Sequence, residues 1–236
     1  MKKLRLDILL TGVGALLIAA ALALAVYNIT DSMRADRSVH AALDQLYMEK
    51  PELQKRVAHM DRNRALTAQD TALVHDIQLP PTELDEATED TGGTAAGDYL
   101  FNPSMDMPSV TLEGDDYIGI LSIPALEIVL PVMEDWDYEK LKTAPCRYTG
   151  SVYTDNMVIA AHNYKNQFGK LKNISRGDTV TLVDMDGNAF QYEVFDIEVF
   201  DASQVEDMTA SDYPLTLFTC NYTGSKRIAV RCAELQ

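Results

Sequence analysis

At 236 residues the chain has room for one domain with a sizeable core, plus appendages. Its formal net charge of −16 speaks against nucleic acid, whose phosphates would repel it, and its 3 cysteines are too few and too odd in number for a disulfide scaffold. None of those cysteines has zinc-ligand spacing, and no internal repeat is visible.

The N-terminus comes first. Ile8 through Ile29 carries no charged residue and is long enough to cross a bilayer as a helix, with Lys2, Lys3 and Arg5 ahead of it. That order keeps residues 1–7 in the cytoplasm and puts the rest outside, with the helix at 8–29 as a single-pass anchor in membrane lipid. The rival is a cleaved signal peptide, since Ala23-Leu24-Ala25 resembles a small-residue cleavage site. However, the apolar run exceeds the roughly 7–15 residues of a signal core.

Residues 30–81 read as a helical juxtamembrane stalk. Val39, Leu43, Leu46 and Tyr47 share one helix face. Pro51 suits the first turn of a second helix striped by Leu53, Val57 and Met60. Thr67 with Asp70 marks a third start, and Pro80-Pro81 ends the region. His40, His59 and His75 read as solvated stalk histidines. The apolar stripes imply that these helices pack, on each other or on the following domain. Residues 82–116 hold ten acidic side chains and no basic one, the composition of an acidic linker.

From 117 to 236 the chain is mainly β, in many short strands with few helices. The expected strands are Tyr117 to Ile123, Leu126 to Val132, Met157 to Ala161, Thr179 to Met185, Phe190 to Phe200, Thr216 to Cys220 and Arg227 to Arg231. Asp186-Gly187-Asn188 is a tight-hairpin signal, because such turns need residues that tolerate positive φ. Tyr138 to Leu141 reads as a helical turn, and Asp201 to Tyr213 as loop or short helix. A closed barrel is the arrangement that leaves so many short strands without exposed edges.

The chemistry gathers on the last strand pair. Cys220 ends one strand, Arg227 opens the next, and a short polar loop joins them, so a thiol and a guanidinium can lie close. Acyl transfer needs a thiolate nucleophile and a fixed positive charge to hold an oxyanion. His162, the only histidine of 117–236, follows the strand at 157–161 and is the one imidazole available as acid and base. The bland alternatives are a buried structural cysteine and a strand-end histidine satisfied by backbone. Arg231 shares a strand face with Arg227 but lies farther from the thiol, and with Lys226 it reads as a surface charge.

Thr216-Leu217-Phe218-Thr219-Cys220, a histidine after an apolar strand and an arginine opening the strand after the cysteine together resemble the sortases, the cell-surface cysteine transpeptidases of Gram-positive bacteria. The resemblance covers roughly residues 117–236 and implies a closed sortase-type β-barrel of about eight strands with short helices. It implies catalytic roles for Cys220, His162 and Arg227, and a secondary place near the oxyanion for Thr219; Asn163 is a candidate to orient the imidazole. The implied substrate is a secreted protein with a Leu-Pro-x-Thr-Gly-like sorting signal. The acceptor is an amine of a cell-wall precursor or a pilin. No cofactor is expected. Calcium at Glu206, Asp207 and Asp212, as in some class A members, is the lesser reading beside a solvated acidic face.

One N-terminal anchor without a C-terminal apolar span leans toward the class A, B or D pattern rather than pilin-building class C. Phe168-Gly169 is reminiscent of class B, and the Cys220-to-Arg227 spacing is shorter than in the best-known class A enzymes. Two other readings stand beside this one: a surface cysteine peptidase that passes its acyl group to water, and a non-catalytic membrane-tethered binding module. For Cys146 and Cys232 the choice lies between a disulfide and two separate buried thiols, with the latter favoured.

Overall fold

The computed structural model describes residues 2–74, 106–209 and 212–235. Helix α1 (Lys2–Glu49) runs unbroken through the apolar segment and into the stalk. At 1.5 Å per residue its 48 residues extend about 70 Å. Between Val13 and Ile29 its large apolar side chains stand exposed, and by length and composition it is able to cross a membrane. Farther on the helix becomes one-sided. Ala35, Val39, Ala42, Leu43 and Leu46 are buried, at spacings of 3 and 4 along one stripe.

Helix α2 (Pro51–Val74) starts at the expected proline, one residue after the break at Lys50. Leu53 and Val57 are buried on it. Thr67 lies inside α2 rather than opening a third helix, so its capping pattern does not act as a start. The two helices pack on each other and on the β domain. Polar contacts help fix the dock: Lys50 Nζ donates to Met185 O at 2.5 Å, Ser122 Oγ donates to Asp61 at 2.9 Å, and Gln45 Nε2 reaches Glu113 at 3.5 Å. Burial pushes the Asp61 carboxyl above its ordinary range, and the Ser122 bond partly offsets it. His40 and His59 face solvent. His75, Pro80-Pro81 and the linker up to residue 105 lie outside the described residues.

The sheet begins at Val110 rather than at Tyr117. β1 (Val110–Leu112) pairs with β2 (Asp115–Ile123) through the two-residue turn Glu113-Gly114, whose φ values of 53° and 95° are those of a primed hairpin turn. A turn at Pro124–Leu126 leads to β3 (Ile128–Met133). The short helix α3 (Lys140–Thr143) precedes β4 (Cys146–Thr149), which was not expected: four residues without alternation give no strand pattern. β5 (Met157–Ala160), β6 (Thr179–Asp184) and β7 (Ala189–Asp201) follow, then helix α4 (Val205–Thr209), β8 (Leu215–Cys220) and β9 (Lys226–Glu234).

Strand order is β1-β2-β3-β4-β5-β8-β9-β7-β6, and β6 pairs back onto β2. Eight strands therefore close into a barrel, with β1 added outside the ring. The interior is filled by side chains such as Leu121, Ile159, Leu182, Leu217 and Val230, each 0% exposed. The expected hairpin joins β6 and β7. Buried Asp184 closes it, accepting from the backbone N–H groups of Asp186 and Asn188 at 2.9 Å and from Tyr153 Oη at 2.6 Å.

Leu46 and Leu53, both 0% exposed, belong to one buried apolar cluster with the barrel side chains. Leu53→Ala removes most of one buried side chain, and a loss of about 2–5 kcal/mol in unfolding free energy is expected. Chemical denaturation of the full chain in detergent measures it, and a change below 1 kcal/mol contradicts the docked arrangement.

Candidate active site

Strand direction sets the site. β5 and β8 run parallel, with Ala160 opposite Phe218. The ladder continues one step as Ala161 N–H donates to Phe218 O at 3.2 Å. Two residues beyond Ala160 and Phe218, His162 and Cys220 stand at the same end of the barrel. β9 returns antiparallel to β8 and places Arg227 directly opposite Cys220. Level residues on neighbouring strands about 4.8 Å apart project to one face. His162, Cys220 and Arg227 accordingly line a single groove of about 150 Å³.

The groove is largely apolar. Trp136 stacks on Tyr148 at 4.9 Å, and Tyr148 meets the Phe218 ring edge-on at 5.3 Å. Leu141 from α3 and Val205 and Met208 from α4 complete the walls. Cys220 is half-buried at the end of β8. Arg227 Nη1 donates to Gly224 O at 3.0 Å and to Lys226 O at 3.3 Å, so the turn after the cysteine steadies the guanidinium.

His162 is held by its own loop. Its N–H donates to Gln167 Oε1 at 3.2 Å, and its carbonyl accepts from Phe168 N–H at 3.2 Å. Gly169 closes that loop so tightly that a Cβ there would sit 2.5 Å from Asn163 O and 2.6 Å from Tyr164 O. The Tyr164 ring leans on the imidazole at 4.8 Å. Burial pushes the His162 pKa below its ordinary value; the Asp31 carboxylate of α1 pulls it back up, and the Lys142 ammonium pushes it down.

The secondary candidates take other parts. Thr219 is 2% exposed on the inward side of β8, and its hydroxyl donates to Ala161 O at 2.8 Å. Its side chain ties β8 to the histidine strand. Asn163 Nδ2 donates to Asn221 O at 3.0 Å, clamping the histidine loop to the turn after Cys220.

Arg231, expected at the surface, is 2% exposed. Its guanidinium donates to Glu198 Oε2 at 2.7 Å, Met208 O at 2.7 Å, Thr216 Oγ1 at 3.1 Å and Asp207 O at 3.0 Å. Fully committed to these partners, it pins α4 over the groove. Lys226 does sit outside, paired with Asp201 at 2.6 Å. Among the described residues no three His, Cys, Asp or Glu side chains gather as a metal would need.

Residues 121–235, about half the chain, match the family model of the sortase domain. The barrel is a sortase domain. Sortases are cysteine-dependent transpeptidases, and this domain is an enzyme of that type. No curated protein matches the chain. Among solved structures, sortase C1 from Streptococcus suis is 24% identical with a TM-score of 0.45, over 51% of this chain and 73% of that one. A sortase D5 transpeptidase from Clostridium perfringens is 20% identical with a TM-score of 0.47, over 56% and 83%. Sortase C from Clostridium perfringens SM101 is 20% identical with a TM-score of 0.44, over 58% and 81%. At that level of likeness none of them assigns a subclass.

All three cysteines of the sortase domain are free thiols, so Cys146 and Cys232 are separate. Burial pushes each of these two up to about 12. A charged alkylating reagent at pH 8 is therefore expected to modify Cys220 alone in the folded chain and all three after denaturation. Peptide mass mapping reads this, and early labelling of Cys146 or Cys232 contradicts it.

For His162, the imidazole resonance is expected to titrate with a midpoint below 6.5. Lys142→Met, which removes a repelling charge, is expected to raise that midpoint. Because the folded imidazole binds its proton less readily than the unfolded one, His162 costs stability as pH falls from 6.5 through the depressed midpoint. A midpoint above 6.5 in the wild type contradicts the half-buried placement.

Proposed function

We propose that this chain is a membrane-anchored transpeptidase that cleaves a Leu-Pro-x-Thr-Gly-like sorting signal and joins the cut protein to a cell-wall or pilin amine. The Cys220 thiolate attacks the threonine carbonyl carbon. The tetrahedral intermediate collapses by breaking the Thr–Gly C–N bond, and His162 gives its proton to the departing amine. The thioacyl enzyme is then attacked by the acceptor amine, whose proton passes to His162 as the C–S bond breaks. Arg227 steadies the carbonyl and then the oxyanion. Residues 8–29 hold the enzyme in the membrane, with residues 1–7 inside and the catalytic domain outside.

The observation that supports this reading is that His162, just past β5, and the paired Cys220 and Arg227 of β8 and β9 line one groove. The groove's aromatic and aliphatic walls suit the Leu-Pro end of such a signal. Thr219 and Asn163 support the site by fixing the ends of the strands that carry the thiol and the imidazole.

The test is incubation of the full chain in detergent with a sorting-signal peptide, with and without a small amine. A thioacyl adduct on Cys220 by mass spectrometry, and product formation that rises with amine, are expected. Cys220→Ala and His162→Ala are expected to abolish turnover. Arg227→Ala should lower it by about 10²–10³, the usual effect of losing one oxyanion donor. Arg227→Lys should recover little, because a flexible point charge lacks the planar fork. Cleavage at a rate indifferent to amine assigns the chain to the peptidases instead, and full activity without Cys220 ends the proposal.

A further inference from the structure

We propose that Asp31 and Tyr164 are a positioning pair for His162, through which the N-terminal helix reaches into the catalytic groove. The inference rests on the transpeptidase reading above. Tyr164 Oη donates to Asp31 Oδ2, joining the histidine loop to α1 across 133 positions of sequence. The same tyrosine ring lies against the imidazole, with centroids 4.8 Å apart and planes at 34°. One side chain thus touches both the helix and the catalytic group.

Neither end of this contact is loose. The carbonyl of Tyr164 accepts from the N–H groups of Gln167 and Gly169, each at 3.0 Å, so the loop is closed around the residue. On the other side α1 is seated by its buried stripe from Ala35 to Leu46 and by Lys50 on Met185 O. The phenol stays neutral and hence a donor: burial raises its pKa, and the Asp31 carboxylate raises it further. The charged and titratable groups around the imidazole are Tyr164 against its ring, Asp31 from α1, Lys142 from α3, and Tyr138, Tyr148, Cys220 and Arg227 in the shared groove.

A plain docking contact predicts that losing it changes stability alone. A positioning pair predicts a change at the imidazole. The chain is studied whole, in detergent, with isotope-labelled histidine; the His162 resonance is assigned by its loss in His162→Ala. Tyr164→Phe and Asp31→Ala are each expected to shift that resonance. Each should lower kcat by about tenfold with KM little changed, as misplacing a reacting group does. The double variant should be no worse than either single one, because both break the same link. Asp31→Asn keeps an acceptor oxygen, so it is expected to retain kcat while lowering the His162 midpoint through loss of charge.

An unshifted His162 resonance in both Tyr164→Phe and Asp31→Ala overturns the proposal, whatever their stability. So does strict additivity in the double variant. If Asp31→Ala fails to fold, Asp31→Asn and Tyr164→Phe still decide it. The resonance needs no turnover, so a wild-type chain that never forms the Cys220 adduct refutes the transpeptidase reading by itself and leaves this measurement to be read separately.

Discussion

The parallel pairing of β5 with β8 is the constraint on which the site depends. Parallel neighbours finish at the same end of a sheet, so the residues just past each strand stand side by side. His162 and Cys220 follow that rule, though 58 positions of sequence separate them. Parallel strands cannot be joined by a tight turn, and here the β6–β7 hairpin fills the interval and closes the barrel onto β2. The antiparallel return of β9 then brings Arg227 opposite the thiol. Three groups meet at one barrel end because of strand polarity, and side-chain contacts only refine the result.

The two arginines of β9 illustrate how position along one strand face sets what a guanidinium can touch. Arg227 lies at the strand's opening end, half-buried, steadied by turn carbonyls beside the groove. Arg231 lies deeper under α4, where a guanidinium must be fully satisfied or not be there at all. Its bonds to Asp207 O and Met208 O do satisfy it, and in doing so they fix Met208 as a groove wall. Phe200 and Tyr213 flank its charge, each ring centroid 5.5 Å from the guanidinium carbon.

Much of this was legible in the sequence, and what was not has a common cause. The strands with alternating or continuous apolar patterns, the Asp186-Gly187-Asn188 turn and the helix start at Pro51 are local signals, and each appears where its residues put it. The three chief site candidates were legible because each sits at a strand end in a recognisable motif. The burial of Arg231 was not, because alternation reports which face a residue takes and is silent on what covers that face. β4 is too short to show a period, and the Glu113-Gly114 turn was obscured by the acidic composition around it. Thr67 met the rule for a helix start yet lies within α2, a case of a capping pattern overridden by a continuing helix. Asp31 reads in the sequence only as the first charge after an apolar run; its partner is reached through tertiary packing alone.

The closed barrel also explains why the groove lies where it does. Its interior is filled by side chains with no exposure, so no substrate enters the barrel. A concave surface has to be built on the outer face, and it needs walls that strands do not supply. Trp136 and Leu141 rise from the β3–β4 connection, and Val205 and Met208 from the β7–β8 connection. These walls stand over Phe218 and beside Cys220, leaving the thiol half-buried. An apolar wall on one side lowers the local dielectric and so strengthens the charge interactions of the groups beside it, while the other side stays open to solvent. The connections, then, shape the groove of this domain, while the strands beneath hold His162, Cys220 and Arg227 in a fixed frame.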